Sequence, residues 1–165
     1  MPGAISRYLE EDHARIEAAL QRATGSREEI EPKAYAEFRE ALLRHIGMEE
    51  KILLPAARAA RSGKPLPQAA RLHLDHGALA ALLVPTPTTA IVKAIRTILR
   101  GHNSIEEGAG GVYEQCEQLP GIDGDAILAR LQSSPPVATA PHVDNTTAME
   151  SLRSALRRAG YYSEL

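Results

Sequence analysis

Two short strings occur twice in this chain, and their residue types are ones that bind cations. His45-x3-Glu49-Glu50 recurs as His102-x3-Glu106-Glu107, and Asp12-His13 recurs as Asp75-His76. Residues i and i+4 of a helix stand on one face, a turn apart, so each His-x3-Glu sets an imidazole beside a carboxylate. Neutral imidazoles and carboxylates together suit iron and related divalent ions. A single His-x3-Glu says little. The doubled pattern, with a matching Asp-His on a separate segment in each half, says much more.

The segments that must position these residues have the apolar period of helices. Residues 4–24 carry Ile5, Leu9, Ile16 and Leu20, and Gly25 is a natural stop. Pro32 can open a second helix with Phe38, Leu42, Ile46, Leu53 and Leu54, running to about Arg61 with a kink or break at Pro55. Pro65 and Pro67 open a third through Leu72, Leu79 and Leu82, ended by Pro85-Thr86-Pro87. Thr88 or Thr89 can cap a fourth, with Ile91, Ile95, Ile98, Leu99, Ile105 and Val112. Gly108, Gly110 and Gly111 weaken it, and it ends near Leu119-Pro120. A short helix from Asp123 to Gln132, a Pro-rich linker to Pro141 and a last helix with a Thr147-x-x-Glu150 capping box follow. The last helix places Met149, Leu152 and Leu156 on one face. Strand signals are nearly absent. The expected fold is all-α: an up-down-up-down four-helix bundle over residues 1–120, then a short helical extension over 121–165 that packs on the bundle or on a partner.

Apolar residues three, four and seven places from the histidines put them on the core stripe. Phe38 and Leu42 precede His45; Ile95, Ile98 and Leu99 precede His102; Leu9 and Ile16 flank His13. If these faces turn inward at one level, four histidines and two glutamates meet. Buried Glu49 and Glu106 would be costly as unpaired charges. Two divalent cations offset them, and a bridging hydroxide or oxo group takes up part of the remaining positive charge.

With these residues the sequence resembles the hemerythrin-like family, whose pattern is His, then His-x3-Glu, then one or two His, then His-x3-Glu/Asp on four helices. The resemblance covers about residues 1–120. It implies that His13 and His45 ligate one iron, that His76 and His102 ligate the other, joined by His73, and that Glu49 and Glu106 bridge. It also implies an open coordination position for dioxygen or another small molecule. Two features depart from the oxygen carriers. His73 and His76 are spaced i,i+3 rather than i,i+4, and Gly-Ala-Gly-Gly follows the second Glu-Glu where Lys51-Ile52-Leu53-Leu54-Pro55 follows the first. These favour a sensing, redox or storage role, with nitric oxide or peroxide as ligands beside dioxygen. The competing expectations are a metal-switched interaction module that uses the C-terminal segment, and a peroxide-decomposing enzyme.

Neighbouring residues have plainer readings. Asp12 and Asp75 could hold ligand imidazoles, but residue i−1 points about 100° away, so surface charge is the expectation; Glu50 and Glu107 read alike. Tyr113, seven residues after Glu106, either donates to a carboxylate or bound ligand or packs in the core. Cys116 reads as a small buried apolar group, His142 as solvated, and Arg153, Arg157 and Arg158 as a solvated face. The 19 Lys+Arg against 21 Asp+Glu, with five Tyr, one Phe and no Trp, argue against nucleic acid as a partner. One cysteine excludes an internal disulfide framework. No run approaches the roughly 18 to 20 apolar residues of a membrane helix, and no secretory leader is visible, so the cytoplasm is the expected location.

Overall fold

The computed structural model describes residues 1–25, 29–162 and 165. They form α1 (Ala4–Thr24), α2 (Pro32–Met48), a π-helical turn (Glu49–Leu53), α3 (Leu54–Ala60), α4 (Ala69–Leu82), α5 (Thr89–Glu106), α6 (Val112–Gln118), α7 (Gly124–Gln132) and α8 (Thr146–Arg158). The protein is all-helical, with no strand among the described residues. No helix among them is long and apolar enough to cross a membrane.

Helix ends follow from local chemistry. The Glu31 carboxylate accepts from the backbone N–H of Lys33 and Ala34, with Pro32 in the first turn of α2. Thr88 Oγ1 accepts from Ile91 N at 3.2 Å and starts α5. The residue before α1, Gly3, has no side chain to cap with. Glu117 of α6 replaces one, accepting from Gly3 N, Ile5 N, Ser6 N and Ser6 Oγ, the last at 2.6 Å. The last helix is capped by Asn145, whose side chain accepts from Ala148 N, rather than by the expected Thr147 box.

Two breaks differ from expectation and matter for the site. The kink near Pro55 is a π-helical turn that begins at Glu49, with Leu54 N bonded five residues back to Glu49 O. Proline lacks an N–H and its ring clashes with the carbonyl four residues back; a widened turn relieves both. The fourth helix does not run to Leu119. It ends at Glu106, Glu107 is extended, and Gly108 and Gly110 take φ near +76°, which L residues avoid. The chain then restarts as α6.

The apolar interior is split. One cluster gathers Ile16, Leu20, Phe38, Leu42, Leu79, Leu82, Ile95 and Leu99 from α1, α2, α4 and α5. The other gathers Ile5, Leu9, Met48, Leu53, Leu72, Val112 and Cys116, with Ile127 and Leu131 of α7. The repeated His and Glu residues form a polar layer between them. The C-terminal stretch is strapped on. Arg44 Nε donates to Ser134 O at 3.0 Å, Arg39 Nη1 to Ala140 O at 2.6 Å, and Val143 N to Val84 O at 3.0 Å. Leu152 and Leu156 of α8 join the first apolar cluster, and α8 lies against α4.

Candidate metal centre

His13 (α1), His45 (α2), His76 (α4) and His102 (α5) turn inward at one level, with relative exposures of 8%, 2%, 3% and 3%. Glu49 and Glu106 sit between them at 1% and 0%. Two groups of potential donors result: His13, His45, Glu49 and Glu106; and His76, His102, Glu49 and Glu106. Donor atoms within each lie no more than 4.8 Å apart. Both glutamates belong to both groups. Glu49 Oε1 is 3.1 Å from His45 Nε2, and its Oε2 is 2.9 Å from His76 Nε2. Glu106 Oε2 is 3.3 Å from His13 Nε2, and its Oε1 is 2.9 Å from His102 Nε2. Each carboxylate thus spans the two histidine pairs.

A carboxylate from a neighbouring element holds the outer nitrogen of every one of these histidines. His45 Nδ1 donates to Asp12 Oδ2 at 2.8 Å, His102 Nδ1 to Asp75 Oδ2 at 3.2 Å, His76 Nδ1 to Glu50 Oε1 at 2.6 Å, and His13 Nδ1 to Glu107. A proton fixed on Nδ1 leaves the Nε2 lone pair of a neutral imidazole facing inward, the tautomer a cation requires. This corrects the surface reading of Asp12 and Asp75, which are 6% and 1% exposed, and of Glu50 and Glu107. The 100° offset holds on each residue's own helix; these side chains serve the histidine of the helix alongside. Arg15 backs Asp12 at 2.7 Å, and Arg71 backs Asp75.

His73 stands apart. Its side chain is 76% exposed, its Nδ1 lies 3.2 Å from Glu50 Oε1, and it belongs to neither donor group. A spacing of three residues keeps it near the face of His76, yet Glu50 stands at the rim and His73 meets only that carboxylate. Tyr113 is fully buried, and its hydroxyl enters the layer beside the His13/His45 group. Its placement comes from the chain break and α6, not from one helix continuing past Glu106.

The electrostatics of the metal-free chain follow from crowding. Burial alone would discharge His45 and His102, but the carboxylates around them win and raise both to about 10. His13 and His76 are raised for the same reason. Burial pushes Glu49 up, and His45 and His76 overcome it, holding the carboxyl well below its ordinary range. Burial, reinforced by Glu49 and Glu106, keeps the Tyr113 phenol protonated.

The donors fit a pair of cations. Glu49 Oε2 and Glu106 Oε1 are buried at ion-pair distance from an imidazole but have no hydrogen-bond partner, because neither lies along a donor direction. His76 Nε2 and His102 Nε2 face each other at 3.2 Å, both with Nδ1 already committed. Orphaned buried oxygens are costly, and so are two opposed ring nitrogens, whether both carry protons or both carry lone pairs; a cation bound by neutral imidazoles and these oxygens removes both costs. Six carboxylates face two guanidinium groups here, and two divalent ions carry the charge that balances the remaining four. On the side of the first apolar cluster, a cavity of about 20 Å³ touches His13, His45 and His102 and is walled by Ile16, Leu42, Leu79 and Leu99. That is room for one water-sized or diatomic molecule.

Comparison with known families agrees with this geometry. The sequence model of the hemerythrin HHE cation binding domain matches residues 4–109, and the chain belongs to that family. A search of curated proteins and a search of solved structures each return no match.

Proposed function

We propose that the protein is a non-haem di-iron protein that binds dioxygen, peroxide or nitric oxide for sensing, redox or storage. The helices α1, α2, α4 and α5 then form the up-down-up-down bundle of residues 1–120. His13 and His45 hold one iron and His76 and His102 the other, while Glu49 and Glu106, with an oxo or hydroxo group, bridge them. The observation that carries this reading is the sharing of both glutamates, oxygen by oxygen, between two histidine pairs. Bound iron supplies redox chemistry and a Lewis-acidic position for a small ligand. The chain supplies the rest. Asp12, Asp75, Glu50 and Glu107 hold the imidazoles in register, and Ile16, Leu42, Leu79 and Leu99 give the cavity an apolar wall. Metal analysis of chain purified without air should give about two irons, with azide and nitric oxide changing the optical spectrum. A chain that takes up no iron, and whose melting Fe(II) leaves unchanged, overturns the reading. Sustained peroxide consumption without loss of iron makes it an enzyme.

A second reading has its own observation. Tyr161, just beyond α8, donates its hydroxyl to Asp75 Oδ1 at 2.9 Å, and Arg71 joins Asp75 to Ala159 O. Asp75 in turn holds His102. The C-terminal segment is therefore one hydrogen bond from the group that orients a ligand, and iron loss would loosen its seat and free it for a protein partner. Protease cleavage within residues 133–162 should rise on chelation. Equal cleavage with and without iron removes this reading and leaves the first intact.

A further inference from the structure

We infer that Tyr113 is a fifth protein ligand to the cation held by His13 and His45, so that the two metal positions are chemically unequal. The inference rests on the two-metal reading above. Its basis is the position of one oxygen. Tyr113 Oη lies 3.1 Å from His13 Nε2, 3.2 Å from His45 Nε2, 2.5 Å from Glu49 Oε1 and 3.1 Å from Glu106 Oε2. Those four atoms belong to the members of one donor group. Around a small divalent ion with bonds of ~2.1 Å, adjacent corners of an octahedron stand ~3.0 Å apart. An atom at the centre would stand ~2.1 Å from all four donors. The phenol oxygen has the spacing of a corner next to four others, not that of the centre.

The backbone commits Tyr113 to this place. Gly108 and Gly110 at φ near +76° and the extended Glu107 turn the chain back, and α6 buries Val112, Tyr113 and Cys116 in the second apolar cluster. Glu117, four residues on, is fixed by its bonds to the start of α1. Without a cation the Tyr113 hydroxyl donates to Glu49 and Glu106, so the bonds that hold it in the buried layer already run to atoms of the donor group. The His76/His102 group receives no such hydroxyl among the described residues; the one near it, Tyr161, reaches Asp75 on the outer side. With the repeat offset of 57 residues Tyr113 falls opposite Ala56, so the first half of the repeat carries no hydroxyl there. Tyr113 approaches from the second apolar cluster and the cavity lies toward the first, so the phenol closes one side of the layer and leaves the cavity side to the exogenous ligand.

Ligation exchanges a proton for a metal bond. The phenol O–H breaks, the phenolate oxygen binds the cation, and the proton leaves to solvent; no electron moves. The test is spectroscopic. Full-length chain is loaded with iron, oxidised by air, and compared with Tyr113→Phe at matched iron content. The expected result is a broad visible phenolate-to-iron(III) absorption with ring modes in resonance Raman spectra, present in the native chain and absent from the variant, while the near-ultraviolet absorption of the centre remains. Should Tyr113→Phe fail to load, ring-deuterated tyrosine in the native chain should shift those modes. Two irons per chain without phenolate modes overturn the inference and leave the di-iron reading standing. One iron per chain without them shows that the phenol plugs the position instead of ligating, which also overturns it. No iron at all is the failure of the earlier reading.

Discussion

The two halves of the polar layer use the same residue types and reach them by different backbones. In the first half α2 runs through His45 and Glu49 into a π-helical turn, and Glu50 meets His76. In the second half α5 stops at Glu106, the chain becomes extended, and Glu107 meets His13. A regular helix turns successive residues about 100° apart, and both halves leave α geometry at the glutamate pair. Beyond that point the halves part. The π turn continues into α3 with two leucines, whereas the glycine break returns Tyr113 to the centre. Asp12 leans on a single arginine, whereas Asp75 leans on Arg71 and on Tyr161 of the tail. The duplicated residues place the donors, and the unduplicated ones give each side its own connection to the rest of the chain.

Substitutions that fall on both halves at once should have the largest effect. Glu49→Ala removes a carboxylate common to both groups, and iron content should drop from about two to below one per chain in metal analysis, where His45→Ala should spare the His76/His102 position. The next effect is in pH. In the metal-free chain His45 and His102 rise from 6.5 to about 10, so their stabilisation is complete below 6.5 and is lost as pH climbs through 10. Chelated protein should melt at least ~5 °C lower at pH 10 than at pH 6. Iron-loaded protein should not follow it, because its imidazoles are already neutral.

Smaller changes separate the halves. A Cβ on Gly111 would run into the carbonyl oxygens of Glu106 and Glu107, whereas Gly47 in α2 has open space around it. Gly111→Ala should cost about 2 kcal/mol in denaturant unfolding, and Gly47→Ala should gain up to ~1 kcal/mol. Asp12→Asn and Asp75→Asn should each weaken iron binding by roughly 10- to 100-fold in competition with a chelator, the Asp75 variant more because its arginine and tyrosine lose their partner too. Tyr161→Phe should be the mildest, about 1 kcal/mol by thermal melting, with iron content unchanged.

That these imidazoles and carboxylates meet was legible from spacing, because His45/Glu49 and His102/Glu106 each lie on one turn of one helix and the apolar stripe around them pointed inward. The helices themselves followed from the same period. What spacing could not reach was anything settled between helices. Asp12 and Asp75 point away from the histidines beside them in sequence and toward histidines 33 and 27 residues on, a relation that exists only once the helices are packed. Tyr113 stood at a promising distance from Glu106, but a continuous helix would have carried it there by a path the glycines forbid. His73 shows the reverse: three residues from His76 looked close enough, and the rim carboxylate Glu50 met it instead. In the tail, Thr147 and Glu150 matched a capping box, while Asn145 two residues earlier already satisfied the free N–H groups.

Because a charged layer separates two oily compartments, the ions would act as a keystone between them. Chelation should then soften the molecule at its waist rather than fray it from its tips. Backbone amides around 45–54 and 102–113 would exchange first while the flanking cores stay shut, and iron supply would set how far the upper and lower blocks move as one body.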